Sequence, residues 1–296
     1  MNRGVVYALG AYTVWGVLPV FWKALRTVPA GEILSQRVVW SLFFMTGLLT
    51  LKRDWRALKP ALKNRATLLA VLVATALLAV NWLTYIWGVN AGYVVEASLG
   101  YFINPLVNVV LGVLFFREKL RLAQWLPVGL AILGVVYLTL SYGELPWIAL
   151  VLAFTFAFYG LIKKTLRLGP FHSFTLEVGG MSLPALAYLL YLELVGQGAF
   201  GHQGGATTAL LALTGVVTAL PLLWFATAAR RIPFSTLGLL QYVTPTLQFL
   251  LGVLVYGEPF TPARMVGFAL IWAALLLYSL EGIVVRRRTA RMTPVR

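Results

Sequence analysis

The chain has 296 residues, of which 60% are hydrophobic and only 11% charged, with a net charge of +15. A soluble domain carries about 25% charged residues, so most of this chain has no surface suited to water. It has no cysteine and only two histidines, which excludes disulfides, thiolate chemistry and a histidine-rich metal site; neither metal nor cofactor is expected.

Apolar runs of about 20 residues point to spanning helices rather than the roughly ten-residue strands of a barrel. The first, Gly4–Trp22, is too long for a signal-peptide core and lacks a small-residue cleavage pattern, so it is expected to stay as a span carrying Trp15. The second, Gly31–Leu51, has Glu32 at its edge and Arg37 nearly two turns in. Between it and the third lies a basic stretch, Lys52–Arg65, with Trp55, Leu58 and Leu62 at i, i+3 and i+7. That pattern suits a short helix resting on anionic membrane lipids, with Pro60 as its weak point.

The third span, Ala66–Val89, brings Asn81, Trp82 and Tyr85; the fourth, Gly92–Phe116, brings Glu96, Ser98, Tyr101, Asn104 and Pro105. The fifth is Leu122–Leu140. The sixth, Pro146–Ile162, carries Tyr159, and the seventh, Ser173–Glu193, carries Glu177 near one end. A glycine-rich segment, Gly196–Ala206, reads as a flexible loop in which His202 is incidental. The eighth span, Ala206–Ala229, holds Trp224; the ninth, Phe234–Tyr256, holds Gln241, Tyr242, Thr244 and Pro245; the tenth is Ala263–Leu280, followed by a basic tail over 282–296.

One stretch occurs twice. EASLGYFINPLVNVVLGVLFFREKL, from Glu96 to Leu120, reappears 140 residues later within LGLLQYVTPTLQFLLGVLVYGEPF, from Leu237 to Phe260. Pro105 falls on Pro245, Gly112 on Gly252 and Glu118 on Glu258, with LGVL in register. The chain is therefore an internal duplication, with one copy at approximately 4–140 and the second at approximately 146–281, in a single membrane domain.

Lysine and arginine placement sets the orientation. With the N-terminus inside, twenty basic residues lie on the cytoplasmic side and three outside, Lys23, Arg26 and Arg264. The high charge is thus a topology signal rather than a nucleic-acid footprint. Both termini are expected in the cytoplasm. Five spans per copy then give the second half the opposite orientation, so the fold class expected is an all-α integral membrane protein of ten helices in two inverted five-helix repeats, a pattern typical of secondary transporters.

Polar groups inside spans are costly in lipid and usually face a cavity or a partner. Arg37 and Glu96 sit at similar depth and are expected to pair as a gate or a structural clamp. Glu32 and Glu177, loosely matched across the repeats, are candidates for a proton-coupled cycle, although both lie near span ends where side chains reach water. Protons are accordingly the candidate coupling ion. Trp15, Asn81, Tyr85, Ser98, Tyr101, Asn104, Tyr159, Trp224, Gln241 and Thr244 form a polar and aromatic set near mid-membrane, expected to line a cavity for a small organic solute. Trp82 reads as helix packing. Pro105 and Pro245 each remove a backbone donor and are candidate hinges. Glu118 and Glu258 end their helices and are expected to serve charge balance or loop capping.

The segments NWLTYIWGVN at Asn81–Asn90, VVEASLGYFINPL at Val94–Leu106, TALPLLWFATAARR at Thr218–Arg231 and STLGLLQYVTPTLQFLLGVLVYGEP at Ser235–Pro259 resemble the RarD branch of the EamA drug/metabolite transporter superfamily, as do VWGVLPVFWK and the EILSQR of Glu32–Arg37. Gln36 stands where that pattern leads one to expect histidine. The resemblance implies a ten-helix carrier of a bacterial cytoplasmic membrane that exports amino acids, metabolites or drugs, and no enzyme activity. The alternative from a different class is a flippase for a lipid or polyprenyl-linked carrier, which would need basic headgroup contacts at mid-depth, where Arg37 is the one clear candidate.

Overall fold

The computed structural model describes residues 2–91, 93–142, 146–256 and 262–292, and within them not the side chains of 89, 90, 94–98, 142, 249, 252, 253, 263, 264, 268, 279 and 282–292. The described residues contain helices and no strand. In chain order the helices are α1 (Arg3–Ala24), α2 (Ala30–Leu51), the short α3 (Leu58–Lys63), α4 (Arg65–Asn90), α5 (Val94–Phe116), α6 (Leu122–Tyr142), α7 (Trp147–Thr165), α8 (Pro170–Leu194), α9 (Gly205–Ala229), α10 (Phe234–Gln241), α11 (Val243–Leu250) and α12 (Pro262–Met292). Among the described residues, eight helices are long and apolar enough to cross a membrane. Their outward faces carry exposed leucines such as Leu69, Leu114, Leu183 and Leu194, as lipid-facing surfaces must. The chain is a multi-pass membrane protein.

The stretch expected as a ninth span is not one helix. It breaks at Tyr242 between α10 and α11, and a π-helical turn, Leu251–Val255, follows. Pro245 lies three residues past the break and has no N–H to give to the carbonyl of Gln241, one turn back. Pro105, at the matching place in the first half, sits inside an uninterrupted α5. The two copies of the duplicated stretch therefore adopt different backbones.

Packing pairs the two halves. α2 lies against α8, α5 against α10, and α6 against α12; α5 and α4 against α7 are mirrored by α11 and α9 against α1. Exchanging the halves maps this set of contacts onto itself, as two copies of one unit would require. α6 and α12 form a side pair, joined to the rest through an apolar cluster that includes Leu99, Val128, Val135, Leu239 and Ile271.

Small residues let backbones cross closely. A Cβ on Gly215 of α9 would run into the backbone of Trp40 on α2, and one on Gly238 of α10 would lie 2.5 Å from the carbonyl oxygen of Pro105. Polar ties reinforce the crossings: Ser41 Oγ donates to the Gly215 carbonyl (3.2 Å) and Tyr242 Oη to the Phe102 carbonyl (3.1 Å).

Several expectations change here. The segment before α4 forms a 3₁₀ turn, Trp55–Ala57, and then α3, with Pro60 harmless in its first turn; Leu58 is buried while Trp55 and Leu62 are exposed, so the three do not form one stripe. The glycine-rich loop is pinned rather than loose, because the carboxylate of Glu32 accepts from the backbone N–H of Ala199 (2.8 and 3.1 Å) and of Phe200 (3.1 Å). His202 contacts Glu193 at 2.9 Å in the same region. Finally, α2 begins at residue 30 and α8 at residue 170, so the 140-residue offset holds for this helix pair, and the partner of Glu177 in the first half is Arg37, not Glu32.

Candidate functional site

A cavity lies where α1, α2, α4 and α5 of the first half meet α7, α9, α10 and α11 of the second. Asn81 and Tyr85 from α4, Tyr101 and Asn104 from α5, Trp15 from α1, and Gln241 and Thr244 at the α10–α11 break all line it. The break matters, because it places Gln241 and Thr244 on the wall together.

The amide and hydroxyl liners Asn81, Asn104 and Thr244 are fixed by bonds made across helix crossings. Asn81 Nδ2 donates to the Leu152 carbonyl and to Thr155 Oγ1, both at 2.9 Å. Asn104 Nδ2 donates to the Ala153 carbonyl at 2.5 Å, and its repeat partner Thr244 donates to the Tyr12 carbonyl at 2.9 Å. The two halves thus tie into each other by equivalent bonds. Asn108 Nδ2 donates to Gln241 Oε1 at 3.1 Å.

Arg37 also lines the cavity. Its Nε donates to Thr218 Oγ1 at 3.1 Å, and its guanidinium carbon lies 4.9 Å from the Trp22 ring centre and 4.5 Å from that of Trp82. Two tryptophans flanking one guanidinium form a cation–π clamp. Trp82 is therefore part of the wall, not the mere packing residue that its sequence position suggested. The expected partner Glu96 and the cavity candidate Ser98 have side chains outside the described residues, and Glu258 lies outside them altogether.

Two candidates do not line the space. Tyr159 is buried and donates to Glu177 Oε2 at 3.1 Å, while Trp224 packs across Gly10 of α1. Glu177 does not reach water either. Its other oxygen meets Lys163 Nζ at 2.7 Å, both side chains are fully buried, and Lys163 also donates to Ser173 Oγ. Lys163, one of the twenty basic residues placed on the cytoplasmic side, is half of a buried ion pair. Glu32, likewise buried, is committed to the loop it holds.

The end of the bundle that carries Lys163 is closed. Glu118 Oε1 accepts from the N–H of Phe234 (2.5 Å), and Oε2 accepts from the N–H (3.0 Å) and hydroxyl (2.7 Å) of Ser235, so a carboxylate of the first half caps the start of α10 in the second. Arg117 adopts φ 51° and the Glu118 N–H turns back to the Gly112 carbonyl (3.1 Å), aiming the side chain at that cap. Gly112 leaves room for it, since a Cβ there would lie 2.7 Å from Glu118 Oε2. Lys164 Nζ adds bonds to the carbonyls of Ala229 (3.1 Å) and Ile232 (2.7 Å).

The EamA-like transporter family model matches the chain twice, over residues 2–140 and 146–280. The chain belongs to the EamA-like transporter family. Protein RarD of Streptomyces exfoliatus is 48% identical over 97% of this chain and 91% of its own length. Protein RarD of Escherichia coli K12 is 44% identical over 98% of both. The uncharacterized transporter YojE of Bacillus subtilis is 43% identical over 97% of this chain and 96% of its own. A crystal structure at 17% identity superposes with a TM-score of 0.72 over 94% of this chain and 98% of the other, which bears on the fold alone. As an EamA-like transporter, the chain is a membrane transport protein, and its family implies a small-molecule substrate.

Proposed function

We propose that this chain is a secondary carrier of a small organic solute, amino-acid-like or drug-like, working by alternating access in a bacterial cytoplasmic membrane. Ten spans in two inverted repeats, with both termini in the cytoplasm, give the frame. The observation that carries this reading is a central cavity walled by both halves, which the Glu118 cap ties together beyond the cavity's lining. At the other end the lining reaches Pro19 and Trp22, near the last turn of α1, and with the N-terminus inside that end would face outward. Closure there, with release of Glu118, would turn the site to the cytoplasm. Solute or proton gradients would supply the energy.

The test is counterflow in liposomes containing the purified protein. External labelled solute should accumulate against its gradient when the lumen holds unlabelled solute, saturate with concentration, and fall strongly in Tyr101→Ala and Gln241→Ala. Flux that neither saturates nor exchanges would make the protein a channel. Transbilayer movement of labelled lipid without solute exchange would favour a flippase.

A further inference from the structure

The cavity holds one described charge, and that charge is incompletely answered. Arg37 spends Nε on Thr218, and neither terminal nitrogen of its guanidinium makes a hydrogen bond among the described residues. No described residue that lines the space is acidic. A guanidinium in a membrane interior carries a large desolvation cost, so it is retained where a counter-charge arrives. Its fork matches a carboxylate, which can accept two parallel N–H bonds.

The surroundings fix how such a group would enter. Trp22 and Trp82 flank the guanidinium, and the Thr218 bond orients it, so its two terminal nitrogens are presented as a preset edge rather than a swinging head. Beyond them the wall is aromatic, with Trp15, Tyr85, Tyr101 and Phe156; Tyr85 and Tyr101 meet edge to face at 6.0 Å, and Trp15 and Phe156 at 5.5 Å. An anion head beside an aromatic enclosure accommodates a carboxylate on an apolar or aromatic body. A free ammonium group would find no carboxylate among the described lining residues.

We infer that Arg37 is the anion-binding residue of the cavity, and that the cargo is an organic monocarboxylate with an apolar or aromatic body, selected over its neutral and zwitterionic analogues. This deepens the carrier reading and rests on it for the word cargo; the binding site itself stands on the geometry.

The test compares matched ligands by isothermal titration on purified full-length protein in detergent. 3-Phenylpropionate, its amide and phenylalanine present the same ring with an anionic, a neutral and a zwitterionic head. The carboxylate should bind roughly tenfold to a hundredfold more tightly than the amide, the range of a charge-assisted pair of hydrogen bonds. Arg37→Gln should abolish that preference, and Arg37→Lys should keep part of it. The wild-type comparison decides even if a variant fails to fold. Equal binding of carboxylate and amide, as would follow if Glu96 neutralised Arg37, overturns the inference. So does tighter binding of phenylalanine, or no binding of the carboxylate up to its solubility limit. Counterflow of the amide without carboxylate preference would leave the carrier reading standing and defeat this one. Carboxylate binding at Arg37 without counterflow would do the reverse.

Discussion

Glu177 and Lys163 show what a buried charge costs and how it is kept. Lys163 gives its ammonium to Glu177 and Ser173, and Tyr159 takes up the second carboxylate oxygen. Such a pair adds little net stability over an apolar one, but removing one partner leaves an uncompensated charge, at about 3–5 kcal/mol. Glu177→Gln should therefore sharply lower the thermal unfolding midpoint in detergent, and adding Lys163→Met should restore most of the loss. Additive losses in that cycle would mean the two do not act as a pair. The position is also informative across the repeats. Arg37 and Glu177 are each the eighth residue of their helices, yet one faces the cavity and the other is locked in an ion pair. Duplicated positions have diverged into a site residue and a brace.

At the scale of helices, the crossings depend on where a methyl group fits. Gly215 meets the backbone of Trp40, whereas Gly179 on α8 has open space around its missing Cβ. Gly215→Ala should destabilise by about 1–3 kcal/mol through overpacking, while Gly179→Ala should be neutral or stabilise by about 0.5–1 kcal/mol through helix propensity. Denaturant unfolding in mixed micelles measures both, and equal effects would show that the α2–α9 crossing is looser than its geometry. The apolar helices themselves were legible in the sequence, because long runs without charge have few alternatives in lipid. So were Asn81, Tyr101, Asn104 and Gln241 on the wall, since polar groups within spans must face something. The break at Tyr242 was legible only in part, because both Pro105 and Pro245 read as hinges while only the second accompanies a break. Pro105 and Pro245 share a sequence context, and only packing decides which helix yields. Trp82 was read as packing because its clamp on Arg37 comes from another helix. Lys163 sits at a span end, where sequence alone places it at the cytoplasmic surface; its pairing with Glu177 across the four-residue link 166–169 comes from two long side chains rather than from packed helices.

For the whole molecule, the weak point of the closed end is one carboxylate. Glu118 receives three hydrogen bonds from the start of α10 in the other half, where the unsatisfied N–H groups and the helix dipole favour a negative charge. If the halves rock as a carrier requires, this cap must form and release in each cycle. Glu118→Gln keeps the shape but loses the charge, and hydrogen bonds to a charged group are worth about 1.5–3 kcal/mol. The ratio of outward- to inward-facing molecules should then fall by roughly tenfold or more. The chain has no cysteine, so a single one can report on this without background. Leu111 is buried on α5 about two turns before Glu118. In Leu111→Cys, a membrane-impermeant thiol reagent added from the side we assign to the cytoplasm should react slowly, and adding Glu118→Gln should raise that rate by roughly the same tenfold. Gly112→Ala, which crowds the carboxylate without removing it, should raise it as well. If neither variant changes the rate while solute exchange continues, the cap is a static support, and the halves must move about some other contact.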